Sequence, residues 1–163
     1  MSYARVTIRL AMTVANRIRG LIPASLRRPG VIGIAFTPAG RIILVQHSYV
    51  RGWYPPGGGR KHGEGAAAAV IRELSEEIGL ERWSSLKPVT GQDDDGGVFV
   101  LRDAIYHPRP SLEIQTVAEF DIGDLPADAS PRLRRILAKQ HLDPDLGPAE
   151  SSKAAPGPRP NMT

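Results

Sequence analysis

The 163-residue chain contains no cysteine, which excludes disulfide staples and thiolate metal sites. It also lacks any apolar run near the roughly 18–20 residues that a membrane span needs. Histidine is scarce, and His47, His62, His107 and His141 show no paired metal-ligand spacing, so no catalytic role is assigned to them. The first 30 residues contain no acidic side chain but six arginines. Removing those six from the 21 basic residues leaves 15 against 17 acidic ones, so the net charge of +4 belongs to one end. The remainder of the chain is not a basic platform for nucleic acid. With no uninterrupted apolar h-region at the N-terminus, a cytoplasmic location is expected.

Hydrophobic residues make up 41% of the chain, enough for one domain with a real core. The sequence divides into a basic appendage over residues 1–29, a central domain over 30–142, and a tail over 143–163. That tail is rich in Pro, Gly, Ala and Ser and is expected to be disordered. Within the appendage, Val6, Leu10, Val14 and Ile18 recur every four residues opposite Arg5, Arg9 and Arg19, the pattern of an amphipathic helix over about 4–22. Arg17 falls inside the apolar sector. One reading of this helix is contact with an anionic membrane surface; the other is packing on the domain or on a homodimer partner.

The stretch from Gly57 to Leu80 carries the chemistry. A Gly57-Gly58-Gly59 turn runs into a helix bearing Glu73, Glu76 and Glu77. At about 100° per residue these carboxylates share a sector of roughly 100°. Ala67, Ile71, Leu74 and Ile78 form a separate apolar stripe. Three close carboxylates repel one another. Hard divalent cations relieve that repulsion through oxygen ligands, while a solvated acidic face is the plainer alternative.

Around these residues lies a longer pattern: Gly58, five residues, Glu64, seven residues, then Arg72, Glu73, Leu74, Glu76, Glu77, Gly79 and Leu80. It resembles the box of the Nudix hydrolase family at every specified position, and a looser resemblance extends from about Gly30 to His141. The resemblance implies an α/β fold, a Nudix-type α/β/α sandwich with a mixed β-sheet. It implies an enzyme that hydrolyses a pyrophosphate linkage in a nucleoside diphosphate derivative (nucleotide sugar, dinucleotide or nucleoside triphosphate) by water attack on phosphorus. Mg²⁺ is the implied cofactor, with Mn²⁺ as a substitute. Carried over by position, Glu73, Glu76 and Glu77 are metal ligands, with the Gly57 carbonyl a further one. Glu64 supports the metal shell, and Arg72 braces the glutamates by ion pairing. Glu113, opening a segment after the box, is the candidate proton acceptor, with Glu73 the alternative base and Glu119 and the aspartates of 92–97 weaker candidates.

Other segments frame this core. Val31–Phe36 and Arg41–Gln46, joined by Thr37-Pro38-Ala39-Gly40, predict a β-hairpin. Leu86–Thr90, Val98–Tyr106 and Glu113–Phe120 predict further strands, and Ser130-Pro131 predicts the start of a helix that buries Leu133, Ile136 and Leu137. Beside the glycine turn, Arg51, Arg60 and Lys61 are candidate phosphate contacts and Tyr54 a candidate base contact. Trp53 is expected to pack on the domain. Two rival functions use the same chain: a non-catalytic nucleotide-sensing module, and a membrane-surface hydrolase of a lipid-linked diphosphate.

Overall fold

The computed structural model of the chain describes residues 30–89, 97–109 and 111–140. The expected amphipathic helix of 4–22, the aspartate loop of 92–96 and the tail of 143–163 lie outside the described residues. In chain order the elements are β1 (Gly30–Ala35), β2 (Ile42–His47), β3 (Gly57–Gly59), α1 (Ala66–Ile78), β4 (Leu80–Arg82), β5 (Ser85–Pro88), β6 (Gly97–Arg102), β7 (Ile105–Tyr106), β8 (Ile114–Phe120), a 3₁₀ turn (Ile122–Asp124) and α2 (Pro131–Gln140).

Four strands form a mixed sheet in the order β3-β1-β6-β5, in which β1 runs parallel to β6 and antiparallel to β3. Two separate pairs, β2 with β8 and β4 with β7, lie beside it, and isolated bridges join Phe36 to Ile42, Val45 to Tyr54 and Trp53 to Ala129. Side chains alternate along each strand. Val31, Ala35, Ile43, Val45, Phe99 and Leu101 join Val70, Leu74 and Ile78 of α1 in one buried cluster. Ile34, Phe36, Ile42, Leu44, Val98 and Val100 join Leu133, Ile136 and Leu137 of α2 in another. Strands buried on both faces read as unbroken apolar runs, which is why VIGIAF and IILV show no alternation. The expected α/β/α sandwich is the observed one.

The helices begin and end for local reasons. Ser130 caps α2, its Oγ accepting from the Leu133 N–H at 3.2 Å. Gly79 closes α1 at φ 68°, its N–H donating to the Leu74 carbonyl. A left-handed cap of this kind favours glycine, and here a Cβ would also strike the His107 carbonyl oxygen. Under α1, Gly33 of β1 leaves room that Leu74 fills.

Three expectations are corrected. β1 and β2 do not form a hairpin ladder: apart from a single bridge, Phe36 to Ile42, they separate, β1 to β6 and β2 to β8. The Val98–Tyr106 segment is two strands, broken where Asp103 adopts φ 52°. Ala67 is exposed, and Ala69, Val70 and Glu77 lie on the buried face of α1 instead. Trp53 packs as expected, its ring edge-on to Phe120 at 4.8 Å and its backbone bonded to Asp128 and Ser130.

Candidate active site

The site begins with the close passage of β3 over α1. Gly57–Gly59 forms a short edge strand on β1, and the helix glutamates rise beneath it. A Cβ on Gly58 would lie 2.6 Å from the Glu73 carboxyl carbon, so only glycine leaves space for that carboxylate. The Gly57 N–H donates to Glu77 Oε2 at 2.9 Å and ties turn to helix. The three box glutamates are therefore unequal. Glu77 is 8% exposed, the Glu73 side chain 12% and the Glu76 side chain 55%.

Arg72 binds the cluster together. Its Nε donates to Glu64 Oε1 at 2.8 Å, and one terminal nitrogen donates to Glu64 Oε2 and to the Gly59 carbonyl, both at 2.9 Å. The other terminal nitrogen reaches Glu73 at 2.8 Å and Glu76 at 3.2 Å. Such a fork is available to Arg and not to Lys. The Arg72 bonds, followed by the Lys61 N–H at 2.7 Å, hold the Glu64 carboxyl down at about 2. Arg60 also donates to the Glu64 carbonyl, through two nitrogens at 3.1 and 2.8 Å. Glu64, Arg72, Arg60 and the Lys61 backbone thus form one connected brace.

Glu77 has the opposite electrostatics. Burial pushes its carboxyl up to about 8, the Gly57 N–H opposes this, and the charges of Glu73, Glu113 and Glu76 add to the rise. Glu113 stands exposed at the start of β8, where partial desolvation and then Glu73 and Glu76 raise its carboxyl. Four carboxylates from two elements thus share one field. Among the described residues no three acidic or histidine side chains converge into a finished metal cage. The carboxylates lean on Arg72 and on the Gly57 N–H. The donor set is nonetheless all oxygen and multiply negative, which suits a hard divalent cation.

The remaining candidates are spread around this centre. Arg51 and Lys61 are exposed. Tyr54 is half-buried against the α1-side core, and its hydroxyl donates to the Arg51 carbonyl at 3.0 Å. Glu119 is engaged elsewhere, accepting from the Tyr106 hydroxyl at 3.0 Å and facing Arg41. Ser48 and Ser111, which belong to no sequence motif, hold the backbone on either side of Glu113. The one local signal was a serine two residues before an acidic strand opening.

The sequence matches the NUDIX domain family model over residues 26–140. The chain belongs to the Nudix family. A MutT Nudix hydrolase from Burkholderia pseudomallei is 25% identical, covering 69% of this chain and 96% of that one at a TM-score of 0.53. A Nudix hydrolase family member from Chromobacterium violaceum is 27% identical, covering 74% of this chain and 80% of its own, with a TM-score of 0.56. A MutT structure from a study of Aliivibrio salmonicida and Vibrio cholerae is 25% identical over 70% and 95% of the two chains, with a TM-score of 0.57. Comparison with curated proteins finds no match. This Nudix chain is an enzyme of the pyrophosphohydrolase type, acting within a family whose substrates are nucleoside diphosphate derivatives. No described helix is long and apolar enough to cross a membrane.

Proposed function

We propose that the protein hydrolyses a phosphoanhydride bond in a nucleoside diphosphate derivative, with Mg²⁺ or Mn²⁺ held by Glu73, Glu76, Glu77 and the Gly57 carbonyl. The carrying observation is the field of four carboxylates, in which buried Glu77 lies near Glu73, Glu76 and Glu113 beneath a glycine turn. A bound divalent cation supplies charge neutralisation on the phosphates and an acidified water. The chain supplies placement. Both Glu64 oxygens are taken by Arg72 and Lys61, so Glu64 acts through Arg72 rather than as a direct ligand. Arg72 in turn holds Glu73 and Glu76 at fixed reach.

Glu113 arrives from β8 rather than from the helix, and in this reading it accepts the proton of the attacking water. The water oxygen forms the new bond to phosphorus, the bridging P–O bond breaks, and the leaving phosphate departs with the electron pair. In this reading the exposed Arg51 and Lys61 meet the phosphates and Tyr54 lies toward the nucleoside, while Arg60 would have to leave the Glu64 carbonyl to join them. Catalytic loss follows from removing the base: Glu113→Gln is expected to lower kcat about a hundredfold, the usual scale for a general base, with little change in metal affinity. Conversion of GTP, UDP-glucose and ADP-ribose to shorter nucleotides, resolved by chromatography with Mg²⁺ and with Mn²⁺, tests the activity; cleavage of UDP-glucose or ADP-ribose at the pyrophosphate gives a nucleoside monophosphate and a sugar phosphate. Binding of all three nucleotides without turnover would replace hydrolysis with nucleotide sensing. Near-normal turnover of Glu113→Gln across pH 7 to 9 would move the base to Glu73.

A further inference from the structure

Glu113 is not part of a regular ladder. β2 and β8 pair in register from Ile42↔Phe120 to Gln46↔Thr116, and then the register shifts so that His47 faces Ile114. Gln115 is the extra residue, so the pair shows the count of a β-bulge. In the unshifted register Ile114, not Glu113, would stand opposite Ser48. With the bulge, the Ser48 N–H donates to the Glu113 carbonyl at 2.8 Å. The Ser48 hydroxyl donates to the Leu112 carbonyl, also at 2.8 Å. From the other side, Ser111 Oγ accepts from the Glu113 N–H at 3.1 Å and from the Ile114 N–H at 3.3 Å.

Both peptide groups flanking Glu113 are therefore fixed by serine. Ser48 belongs to the loop after β2, and Ser111 to the approach to β8. Each serine spans two successive peptide groups, which restricts rotation of the Leu112–Ile114 backbone and with it the direction of the Glu113 Cα–Cβ bond. A carboxylate at an exposed rim needs such a restraint, because its own side chain has no other fixed partner of opposite charge among the described ion pairs.

We propose that Ser48 and Ser111 are positioning residues for the hydrolytic step, clamping the bulged backbone so that Glu113 points at the helix carboxylates. This rests on the assignment of Glu113 as proton acceptor. Neither serine touches substrate; they act through the backbone. A displacement of about 1 Å at a catalytic group is enough to cost on the order of a hundredfold in rate; removing the Ser111 hydroxyl breaks two of the four clamp bonds and is expected to cost about tenfold, and removing the Ser48 hydroxyl, whose N–H bond to Glu113 remains, to cost less.

The test uses the full chain and whichever of GTP, UDP-glucose and ADP-ribose is cleaved fastest. Ser111→Ala is expected to lower kcat about tenfold at unchanged KM and Ser48→Ala to lower it severalfold, and Ser48→Thr and Ser111→Thr, which keep the hydroxyl, to restore it. Amide hydrogen exchange supplies a readout free of substrate: in Ser111→Ala the Glu113 and Ile114 amides exchange faster while the Ala118 amide, in the regular ladder opposite Leu44, does not. Unchanged kcat in both alanine variants overturns the proposal. So does a rise in KM at constant kcat, which would put the serines against substrate. Equal loss of Tm and kcat without rescue by threonine would reduce them to folding residues and also overturn it. Wild-type turnover in Glu113→Gln would instead remove the reading beneath it.

Discussion

At the scale of single residues, Glu77 separates stability from chemistry. Its carboxyl is buried against β3 and sits near Glu73, Glu76 and Glu113, which lifts it to about 8 in the folded, metal-free protein. A raised carboxyl contributes its full stability below the unfolded value and loses it as pH climbs through the folded one. Between about pH 4.5 and 8 the metal-free fold therefore weakens, by an amount on the order of 3–5 kcal/mol. Glu77→Gln keeps an oxygen for the Gly57 N–H and cannot ionise, so its Tm is expected to fall much less over that window than the wild type's, the raised Glu113 carboxyl supplying a residual fall. Adding Mg²⁺ at pH 8 is expected to raise the wild-type Tm, because a ligand of the folded state stabilises it, and to raise that of Glu77→Gln much less. Parallel pH profiles for the two proteins would show that Glu77 is not the strained group. The sequence put all three glutamates on the helix but ranked them alike. Their ranking depends on how deeply α1 sinks under β3, and that is a tertiary fact with no trace in local spacing.

At the scale of elements, two glycines of the same motif should fail in different ways. Gly58→Ala places a methyl 2.6 Å from the end of the flexible Glu73 side chain. The carboxylate can give way, breaking its 2.8 Å bond to Arg72, so the expected result is a large fall in kcat with a small change in Tm. Gly79→Ala meets backbone, the His107 carbonyl, and must also hold φ 68°. Left-handed geometry alone costs an alanine about 1–2 kcal/mol; with the clash added, the Tm loss should exceed that and kcat per folded molecule should hold. Thermal unfolding and active-site-normalised turnover distinguish the two, and a reversed pattern would mean that the turn, rather than the helix end, carries the fold. Both glycines were visible as motif positions. The hairpin error arose because Thr37–Gly40 is a true turn, its Gly40 N–H bonded to the Thr37 carbonyl. A turn states that two strands are consecutive, whereas pairing is decided by β6 and β8, some 60 to 80 residues downstream in sequence. The β8 bulge was likewise hidden, because Glu113–Phe120 reads the same with or without one register shift.

At the scale of the molecule, both faces of the sheet are closed by elements lying between Gly30 and Gln140. α1 covers one cluster and α2 the other, and Ile34, Ile43, Leu44, Leu74, Ile78, Leu101, Leu133 and Ile136 are all essentially inaccessible to solvent. The brace, the glycine turn, the helix carboxylates and Glu113 fall within the same interval, and the family match spans residues 26–140. A protein comprising residues 26–140 alone is therefore expected to fold, to keep the Mg²⁺-induced rise in Tm, and to turn over nucleotide at the rate of the full chain. The basic residues removed from the front are arginines that no step of the proposed hydrolysis uses. Calorimetry and chromatographic nucleotide turnover on the two proteins, side by side, make the comparison. A lower Tm with intact turnover would assign residues 1–25 or 141–163 a packing role against the sandwich. A lower turnover at equal Tm would bring one of those segments to the substrate, and the division of the chain into a self-sufficient catalytic domain and two appendages would fail.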